Sequence, residues 1–329
     1  MNNNDIIIIG GGLGGLTTGA LLAKEGRKVT VLEKNNIVGG GLQNFTRKGI
    51  LFDTGMHMLG GFRPGQTLYR ICQHLGIMQK LKLQSVDSDC MDEIYYASSH
   101  TTYRVAEGKA GFVESFATHF PHQRAQLQRY VDAIYELADE IDLFNLRPTG
   151  DGIPLHSERF MWPANEFIAH YIDDEQLRDV LAYMNPMYGG VSGHTPAYVH
   201  ALISALYING TDRFVGGSQQ LATALTEVIE HAGGEVMGGA EVVRIAVDNR
   251  TVTQVQTKDG QTFSAPYYIA ATHMGETLQL IDKGAFTPAY IKRISNTENS
   301  YSIFSLYVKL KPETFAYINH TCYYQHDYN

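Results

Sequence analysis

Apolar residues recur along this chain with two spacings, one typical of buried strands and the other typical of helices. Near the start, residues 6–9 are four isoleucines, residues 14–25 repeat apolar positions at helical spacing, and residues 28–33 are again mostly apolar. This order predicts a strand, a helix and a second strand, which together form a βαβ unit. Gly26 stands where the glycine that ends a helix is expected.

The middle of the chain is dominated by helical spacing. The pattern predicts helices over residues 62–85, 112–146, 164–184 and 196–208, and a strand over residues 94–105. The helical pattern breaks at the stretch RPTGDGIP, which is rich in Gly and Pro. Helices therefore account for most of this region.

From residue 216 onwards the pattern returns to alternating helices and strands. We expect a helix within residues 216–234, strands over 241–249 and 251–265 with a turn at Asp259-Gly260, and a buried strand in residues 267–272. The fold class is therefore predicted to be α/β, with a Rossmann-like domain that is interrupted by an inserted, mainly helical α+β domain.

The change of pattern also sets the expected domain boundaries. Residues 1–82 and 214–282 are assigned to a discontinuous nucleotide-binding domain, and residues 83–213 and 283–329 to a substrate domain. A chain of 329 residues is long enough for about two domains.

Composition excludes several classes of protein. A hydrophobic content of 44% and a charged content of 18% fit a globular protein, and a net charge of -8 argues against nucleic acid as a partner. The pattern of a signal peptide is missing, and so is any apolar stretch of about 20 residues, so we expect a cytoplasmic protein.

Cysteine and histidine spacing predicts neither a disulfide framework nor a metal site. Cys72, Cys90 and Cys322 lack CxxC spacing, and the histidines include no HExxH pair. No GxSxG motif occurs, which disfavours a hydrolase. The acidic run that begins at Asp173 is interpreted as the start of a helix, where carboxylates interact favourably with the helix dipole.

The first chemical motif is the glycine pattern between the predicted first strand and helix. Gly10, Gly12 and Gly15 have GxGxxG spacing, which permits a tight turn, close approach to a pyrophosphate and close packing of helix on strand. Glu33 follows 18 residues after Gly15 and is placed to accept hydrogen bonds from a ribose diol. Because NAD and FAD share this fingerprint, the motif alone leaves both cofactors open.

A second glycine cluster discriminates between them. Gly39, Gly40 and Gly41 follow the acidic residue, and the stretch FDTGMHMLG comes soon after. With these motifs the chain resembles the flavin amine oxidase and phytoene desaturase superfamily, and within it the branch of retinol saturases, carotenoid isomerases and phytoene desaturases. The resemblance covers residues 5–61 and returns in residues 207–249 and 259–273.

The resemblance implies FAD as the cofactor and assigns roles to individual residues. The GxGxxG glycines would meet the pyrophosphate, Glu33 the adenosine ribose, and Val242 the adenine, while residues 55–57 would lie near the flavin ring. His57 is the predicted catalytic acid–base, since imidazole exchanges protons near neutral pH. The predicted cofactor-binding residues are Gly10, Gly12, Leu13, Gly14, Gly15, Glu33, Lys34, Gly39, Gly40, Gly41, Leu42, Gly55, Met56, His57, Val242 and Ala271.

The same resemblance implies an FAD-dependent oxidoreductase that acts on carbon–carbon double bonds of a small hydrophobic polyene or isoprenoid, by desaturation, saturation or isomerisation. Such a substrate implies an apolar tunnel in the helical insert and allows peripheral contact with a membrane. The candidates for the tunnel lining are Phe160, Met161, Trp162, Tyr183, Met184, Met187 and Tyr188.

Two departures from the family pattern keep alternatives open. Many relatives place Arg directly after the glycine pair, where this chain has Gly41, and the family's Gly-rich C-terminal segment does not occur before Asn329. One alternative is an amine oxidase-like flavoenzyme, for which a pocket of carboxylates and aromatic residues would be evidence. The other is an incomplete nucleotide-binding fragment without activity.

Overall fold

The computed structural model describes residues 4–148, 150, 152 and 154–328, and its helices and strands are numbered in chain order. The strands are β1 (Ile6–Ile9), β2 (Val29–Leu32), β3 (Asn44–Arg47), β4 (Ile50–Asp53), β5 (Leu59–Gly60), β6 (Leu83–Ser85), β7 (Asp92–Tyr96), β8 (Thr101–Val105), β9 (Thr211–Phe214), β10 (Glu235–Met237), β11 (Val242–Asp248), β12 (Thr251–Thr257), β13 (Thr262–Phe263), β14 (Tyr267–Ala270) and β15 (Thr321–Gln325). The helices are α1 (Leu13–Lys24), α2 (Thr67–Leu75), α3 (Lys109–Ala117), α4 (Arg124–Asp139), α5 (Ala164–Tyr171), α6 (Glu175–Leu181), α7 (Asn185–Tyr188), α8 (Ala197–Ile208), α9 (Gln219–His231), α10 (Met274–Leu280) and α11 (Pro288–Ser295).

The described residues form two compact units. Of these residues, unit 1 contains those within 4–57, 72–82 and 214–299, and unit 2 contains those within 58–71, 83–213 and 300–328. The predicted boundaries differ from this division at residues 58–71 and 283–299. The first difference arises because β5 pairs with β9 of unit 2, and the second because α11 packs against α10 of unit 1.

Unit 1 is built on a parallel sheet in the order β10-β2-β1-β14. Ile6 pairs with Val29 on one side and with Tyr267 on the other, so β1 is a central strand. Helices α1 and α9 pack against each other. The isoleucines of β1 are buried on both faces, which is why that strand is a continuous apolar run. This arrangement is the α/β architecture that the sequence predicts.

Unit 1 also contains two antiparallel elements. Strands β3 and β4 form a hairpin, and β11, β12 and β13 form a small sheet. The predicted turn at Asp259-Gly260 lies between β12 and β13, where the Gly260 amide donates to the Thr257 carbonyl at 2.9 Å. These strands therefore agree with the predicted pattern.

Unit 2 combines helices with short strands around one apolar core, which includes Phe116, Leu127, Ile134 and Phe167. The predicted helix over 112–146 is wrong as a single element, because α3 ends at Ala117 and α4 begins at Arg124, after the Pro121 turn.

The predicted helix over 164–184 is also divided. Asp174 caps α6, and its carboxylate accepts a hydrogen bond from the Leu177 amide at 3.0 Å. The acidic run therefore opens a helix, as expected, while the hydrogen-bonded cap at Asp174 was not part of that expectation. The additional short helix α7 was not predicted.

Two predicted elements differ from the elements that the structure contains. Residues 94–105 contain the end of β7 and all of β8, joined by a turn in which His100 has a φ of 52°, so the predicted single strand is a hairpin. Residues 62–85 end in strand β6 rather than continuing the helix α2. Within the described part of the chain, no helix combines the length and the apolar character needed to cross a membrane.

Candidate flavin site

The first glycine loop, defined as residues 10–15, comprises the turn after β1 and the first residues of α1, and the backbone leaves no room for side chains at Gly10 and Gly15. A Cβ atom on Gly15 would overlap the Gly10 carbonyl oxygen, and a Cβ atom on Gly10 would lie 2.7 Å from the Ala271 carbonyl oxygen. Gly10 also has a φ of 106°, a conformation that favours glycine. These two positions therefore require glycine because of backbone packing alone.

A Cβ atom on Gly11 would lie 2.9 Å from the Glu33 Cβ, whereas the other two glycines of this loop face open space. A Cβ atom on Gly12 or Gly14 would have no neighbour within 4 Å. Gly12 is the N-cap of α1 and provides no side-chain hydrogen bond to the first turn, which begins at Leu13. The first backbone amides of a helix lack intrahelical partners and attract anions. The loop therefore offers donors and space to a pyrophosphate, so its residues fit a dinucleotide.

Glu33 lies beside this loop at the end of β2 and is only 6% exposed. Its Oε2 accepts a hydrogen bond from the Gly11 amide at 2.8 Å, and its Oε1 accepts one from the Asn35 amide at 2.9 Å. Each carboxylate oxygen keeps a further lone pair, which suits a ribose hydroxyl. The neighbouring Lys34 is exposed.

The second glycine loop, residues 39–41, lies against the first. The Gly39 amide donates to the Gly11 carbonyl at 2.7 Å, and a Cβ atom on Gly40 would lie 3.2 Å from the Gly12 Cα. Gly39 and Gly40 both have positive φ angles, whereas Leu42 is fully buried. The two loops thus adjoin through their backbones, and each loop has exposed glycines, Gly14 in the first and Gly40 and Gly41 in the second.

A polar network supports the second loop, and the sequence analysis did not identify it. The Asp53 carboxylate accepts hydrogen bonds from the Asn44 amide group at 3.0 Å and from the Ser218 backbone amide at 2.8 Å. Asn44 in turn accepts from the Gln219 amide at 2.8 Å, and the Gln219 side chain donates to the Val38 carbonyl at 3.1 Å. The stretch VGGSQQ contains Ser218 and Gln219 and lies within the family resemblance, but its pattern predicts only the start of a helix and not these contacts.

Two further predicted cofactor residues of unit 1, Ala271 and Val242, lie outside the two glycine loops. The Ala271 amide donates to the Ile9 carbonyl at 2.8 Å, beside the first glycine loop. Val242 is the first residue of β11, and its side chain is buried in an apolar cluster that includes Ile9 and Leu32.

The segment that contains the predicted catalytic residue follows β4. A Cβ atom on Gly55 would lie 3.3 Å from the Gly41 carbonyl oxygen, so Gly55 adjoins the second glycine loop. Met56 is half-buried, and His57 is exposed. His273, in contrast, caps α10 by accepting a hydrogen bond from the Gly275 amide at 3.2 Å.

Unit 2 carries a cavity of about 620 Å³, which is in the size range of ligand pockets. Ile168 and Tyr183 are buried residues of its wall, and the polar part of the wall includes Asp179, Asp327 and Tyr301. Of the residues predicted to line a tunnel, Tyr183 belongs to this wall, while Phe160 and Met184 are packed in the core and Met161 is exposed.

A buried histidine lies in the same unit. Tyr130 Oη is 2.6 Å from His200 Nε2, and Tyr188 Oη is 2.9 Å from His200 Nδ1. Because the Tyr188 hydroxyl donates to Asn185, its oxygen accepts from Nδ1–H, and the Tyr130 hydroxyl donates to Nε2. Burial lowers the pKa of His200 to about 4, so the imidazole is neutral at pH 7.

Comparison with known proteins identifies the class to which this fold and site belong. The model of the family "Flavin containing amine oxidoreductase" matches residues 13–312, and the chain belongs to this family. The match confirms the resemblance that the glycine motifs predicted, and with it FAD as the cofactor.

Individual relatives are similar at a lower level. All-trans-retinol 13,14-reductase of Rattus norvegicus is 25% identical over 327 residues, which cover 93% of this chain and 54% of the reductase. Prolycopene isomerase of Arabidopsis thaliana is 24% identical over 328 residues, which cover 94% of this chain and 54% of the isomerase. The chain therefore spans about half the length of the curated relatives it matches.

A solved structure shows the same fold. The crystal structure of a protein from Pyrococcus furiosus matches with a TM-score of 0.64 and 24% identity, covering 90% of this chain and 66% of that chain.

Proposed function

We propose that this chain is part or all of an FAD-dependent oxidoreductase that acts on carbon–carbon double bonds of a hydrophobic polyene or isoprenoid. The pair of adjoining glycine loops carries the cofactor half of the proposal, because it leaves space and backbone donors where a pyrophosphate needs them. The names of the relatives, a retinol reductase and a prolycopene isomerase, support the substrate half.

In this proposal, different residues of unit 1 bind different parts of the cofactor. The amides of Leu13 and Gly14 bind the pyrophosphate, and the second glycine loop with Leu42 borders it. Glu33 accepts hydrogen bonds from the adenosine ribose, with Lys34 beside it. The remaining contacts fall to Gly55, Met56, Val242 and Ala271, at the positions that the family resemblance implies.

Bound FAD supplies hydride transfer, while the protein orients the reactants and excludes water. His57 is proposed to hold and deliver the proton that a change at a carbon–carbon double bond requires. Its exposed imidazole, next to a segment that adjoins the second glycine loop, leaves the ring accessible to a substrate.

The cavity of unit 2 is proposed to hold part of the substrate. Its buried wall residues Ile168 and Tyr183 offer apolar contact to a hydrocarbon chain. Ile168→Trp would fill the cavity, so we expect this variant to bind FAD normally but to lose turnover of a polyene. Met161→Trp, at an exposed position outside the cavity wall, is the matched control.

A second candidate function is oxidation of a polar amine. The cavity wall contains two carboxylates, Asp179 and Asp327, together with Tyr96 and Tyr301. Carboxylates and aromatic rings are groups that bind a cationic amine. The wall also contains Arg178, whose positive charge opposes such a ligand, so we place this function second.

Reconstitution tests both candidates together. The purified chain is incubated with FAD, freed of excess cofactor, and its absorption spectrum is recorded; it is then supplied with all-trans-retinol, a cis-carotene or a primary amine, and products are separated by chromatography. Stoichiometric flavin with conversion of a polyene is the expected result. Conversion of the amine alone would favour the second candidate, and flavin binding without either reaction would reject both substrate classes. Failure to retain FAD would contradict the cofactor site itself.

The hydrophobic substrate also leads us to propose peripheral contact with a membrane. Support comes from residues 303–306 of unit 2, where Phe304 is 90% exposed and Leu306 is 78% exposed. Apolar surface of this kind is favoured at the boundary of a lipid bilayer.

A further inference from the structure

Three side chains of kinds that can bind a metal ion lie together in unit 2, near the first residues of the paired strands β7 and β15. Among the residues that the structure describes, Cys90, Glu93 and His320 form a group whose ligand atoms all lie within 4.8 Å of one another. Cys90 comes just before β7, Glu93 lies on β7, and His320 comes just before β15. The sequence separates His320 from the other two by more than 200 residues, so spacing could not reveal this group.

Backbone hydrogen bonds hold the two segments together at this point. The Thr321 amide donates to the Met91 carbonyl at 3.1 Å, and the Asp87 amide donates to the Asn319 carbonyl at 3.2 Å. The Asn319 side chain adds a hydrogen bond of 2.9 Å to the Asp87 carboxylate. His320 lies between these links, so its position beside Cys90 is fixed by the fold rather than by a flexible loop.

The polar atoms of the group have few other partners. Nδ1 of His320 is buried and accepts or donates no hydrogen bond within the described chain, and the His320 side chain is only 13% exposed. The nearest carboxylate oxygen, on Asp87, is 4.0 Å away. Cys90 is fully buried, and its thiol makes only a 3.5 Å contact with the Asp92 carbonyl. Buried polar atoms normally have a bonding partner, so the unpartnered Nδ1 of His320 points to a ligand bound at this position.

We propose that Cys90, Glu93 and His320 form a binding site for a divalent transition metal ion of the zinc class. Thiolate, imidazole and carboxylate are the ligands that Zn²⁺ uses in proteins, whereas a thiolate disfavours Mg²⁺ and Ca²⁺. Three protein ligands leave the fourth tetrahedral position to water or a small molecule.

Binding requires small local movements. Metal–ligand bonds of about 2.0–2.3 Å place tetrahedral ligand atoms roughly 3.5 Å apart, so the widest pair in the group must approach by about 1 Å. The Cys90 thiol loses its proton to solvent as the sulfur–metal bond forms. The Glu93 carboxylate also lies 3.4 Å from the Arg104 guanidinium across the hairpin. Because this ion pair is exposed, it contributes little free energy that would oppose metal binding by Glu93.

Cobalt provides a direct test, since Co²⁺ occupies zinc sites and absorbs when a thiolate binds it. The full chain is treated with a chelator, desalted and titrated with CoCl₂ under reducing conditions, and then with ZnCl₂ to displace the cobalt. We expect one equivalent of Co²⁺, a thiolate-to-cobalt charge-transfer band in the near ultraviolet, and loss of that band on addition of Zn²⁺. Absence of the band in the wild-type chain overturns the proposal without any variant.

Substitutions distinguish the proposed site from an adventitious thiol. Cys90→Ser should abolish the band, and His320→Gln and Glu93→Gln should each weaken Co²⁺ binding at least tenfold. The matched control is Cys322→Ser, because Cys322 is an exposed cysteine that pairs with Glu93 in the sheet without belonging to the ligand group. A band that survives Cys90→Ser but disappears in Cys322→Ser, or that is unaffected by both Gln variants, rejects the site. Circular dichroism of each variant verifies that the chain is folded.

Discussion

Glu33 directly follows β2, and both of its carboxylate oxygens accept hydrogen bonds from backbone amides, one in the first glycine loop and one at Asn35. The carboxylate therefore serves two purposes that the sequence could not separate. It holds the turn of the first glycine loop, and under the proposed function its remaining lone pairs accept hydrogen bonds from a ribose. A hydrogen bond to a charged group contributes about 1.5–3 kcal/mol to stability. The two hydrogen bonds of Glu33 therefore have a large effect on the stability of the first glycine loop and of the residues after β2.

Glu33→Gln is expected to weaken FAD binding by roughly 10- to 100-fold, because the amide NH₂ group would face a backbone N–H donor in place of an acceptor. Fluorescence titration of the purified chain with FAD measures the effect. Glu25→Gln, an equivalent change at the exposed C-cap of α1, serves as the control. Equal affinities in the two variants would contradict the assigned role.

His200 illustrates a residue whose chemistry depends entirely on burial. Its pKa in the folded chain is lowered to about 4 by desolvation, while the unfolded chain has an ordinary imidazole. Between these two pKa values the unfolded state binds more protons, so stability falls as pH decreases from about 6.5 to about 4.

We expect the loss of unfolding free energy between pH 7 and pH 4 to be smaller by roughly 3 kcal/mol in His200→Gln than in the wild-type chain. Urea denaturation at the two pH values gives this difference, and other titrating groups cancel in the comparison. The control is His231→Gln, which makes the same substitution at an exposed position and keeps the buried His200 imidazole. If both variants behave like the wild type, His200 is not the group that couples stability to pH.

At the scale of elements, the short apolar runs predict strands correctly, whereas the long helical patterns do not predict where individual helices end. Strands β1 and β2 are buried in the parallel sheet, so their apolar composition alone predicts them. Strand β14 was expected to be buried as well, but it is an edge strand whose residues are exposed or half-buried. In unit 2 the apolar spacing continues across Pro121 and across the Asp174 cap, because successive helices share one core. Periodicity therefore located the helical region but not the ends of its helices.

The junction of β1 and α1 provides a prediction about backbone packing. A Cβ atom on Gly15 would overlap the Gly10 carbonyl oxygen, so Gly15→Ala must separate the helix from the strand. We expect a loss of about 2–3 kcal/mol of stability, typical of overpacking, together with weaker FAD binding. Thermal denaturation and FAD titration measure the two effects.

Gly14→Ala is the matched control for this change, because a Cβ atom there has no neighbour within 4 Å. It should keep the stability of the wild type and yet lower FAD affinity, since the methyl group would enter the space proposed for the pyrophosphate. Similar destabilisation by both alanines would show that the tight contact at Gly15 is unimportant.

At the scale of the whole molecule, the chain combines a nucleotide-binding unit with a helical unit that leaves apolar residues on its surface. Ile303, Phe304 and Leu306 are 73%, 90% and 78% exposed. Contiguous exposed apolar residues are unusual for a monomeric protein in water and favour association with lipid or with other copies.

Replacing Ile303, Phe304 and Leu306 together by Ser should reduce both cosedimentation with phosphatidylcholine vesicles and light scattering at high protein concentration. The reason is the smaller apolar area available to lipid or to another chain. A triple Ser variant at Lys292, Arg293 and Glu298 changes exposed polar residues instead and should behave like the wild type. Unchanged cosedimentation in the apolar variant would reject the proposed membrane contact.

The sequence by itself determined the α/β class, the first glycine loop with Glu33, and the second glycine loop, because each depends on residues close together in the chain. Backbone conformation and helix or strand periodicity are local properties, so their signals are local as well. Only the tertiary structure decided which distant residues meet. The support of the second loop by Ser218 and Gln219, the enclosure of His200 by two tyrosines, and the approach of His320 to Cys90 all follow from strand pairing and core packing. Those contacts depend on the whole buried interior, which no short pattern encodes.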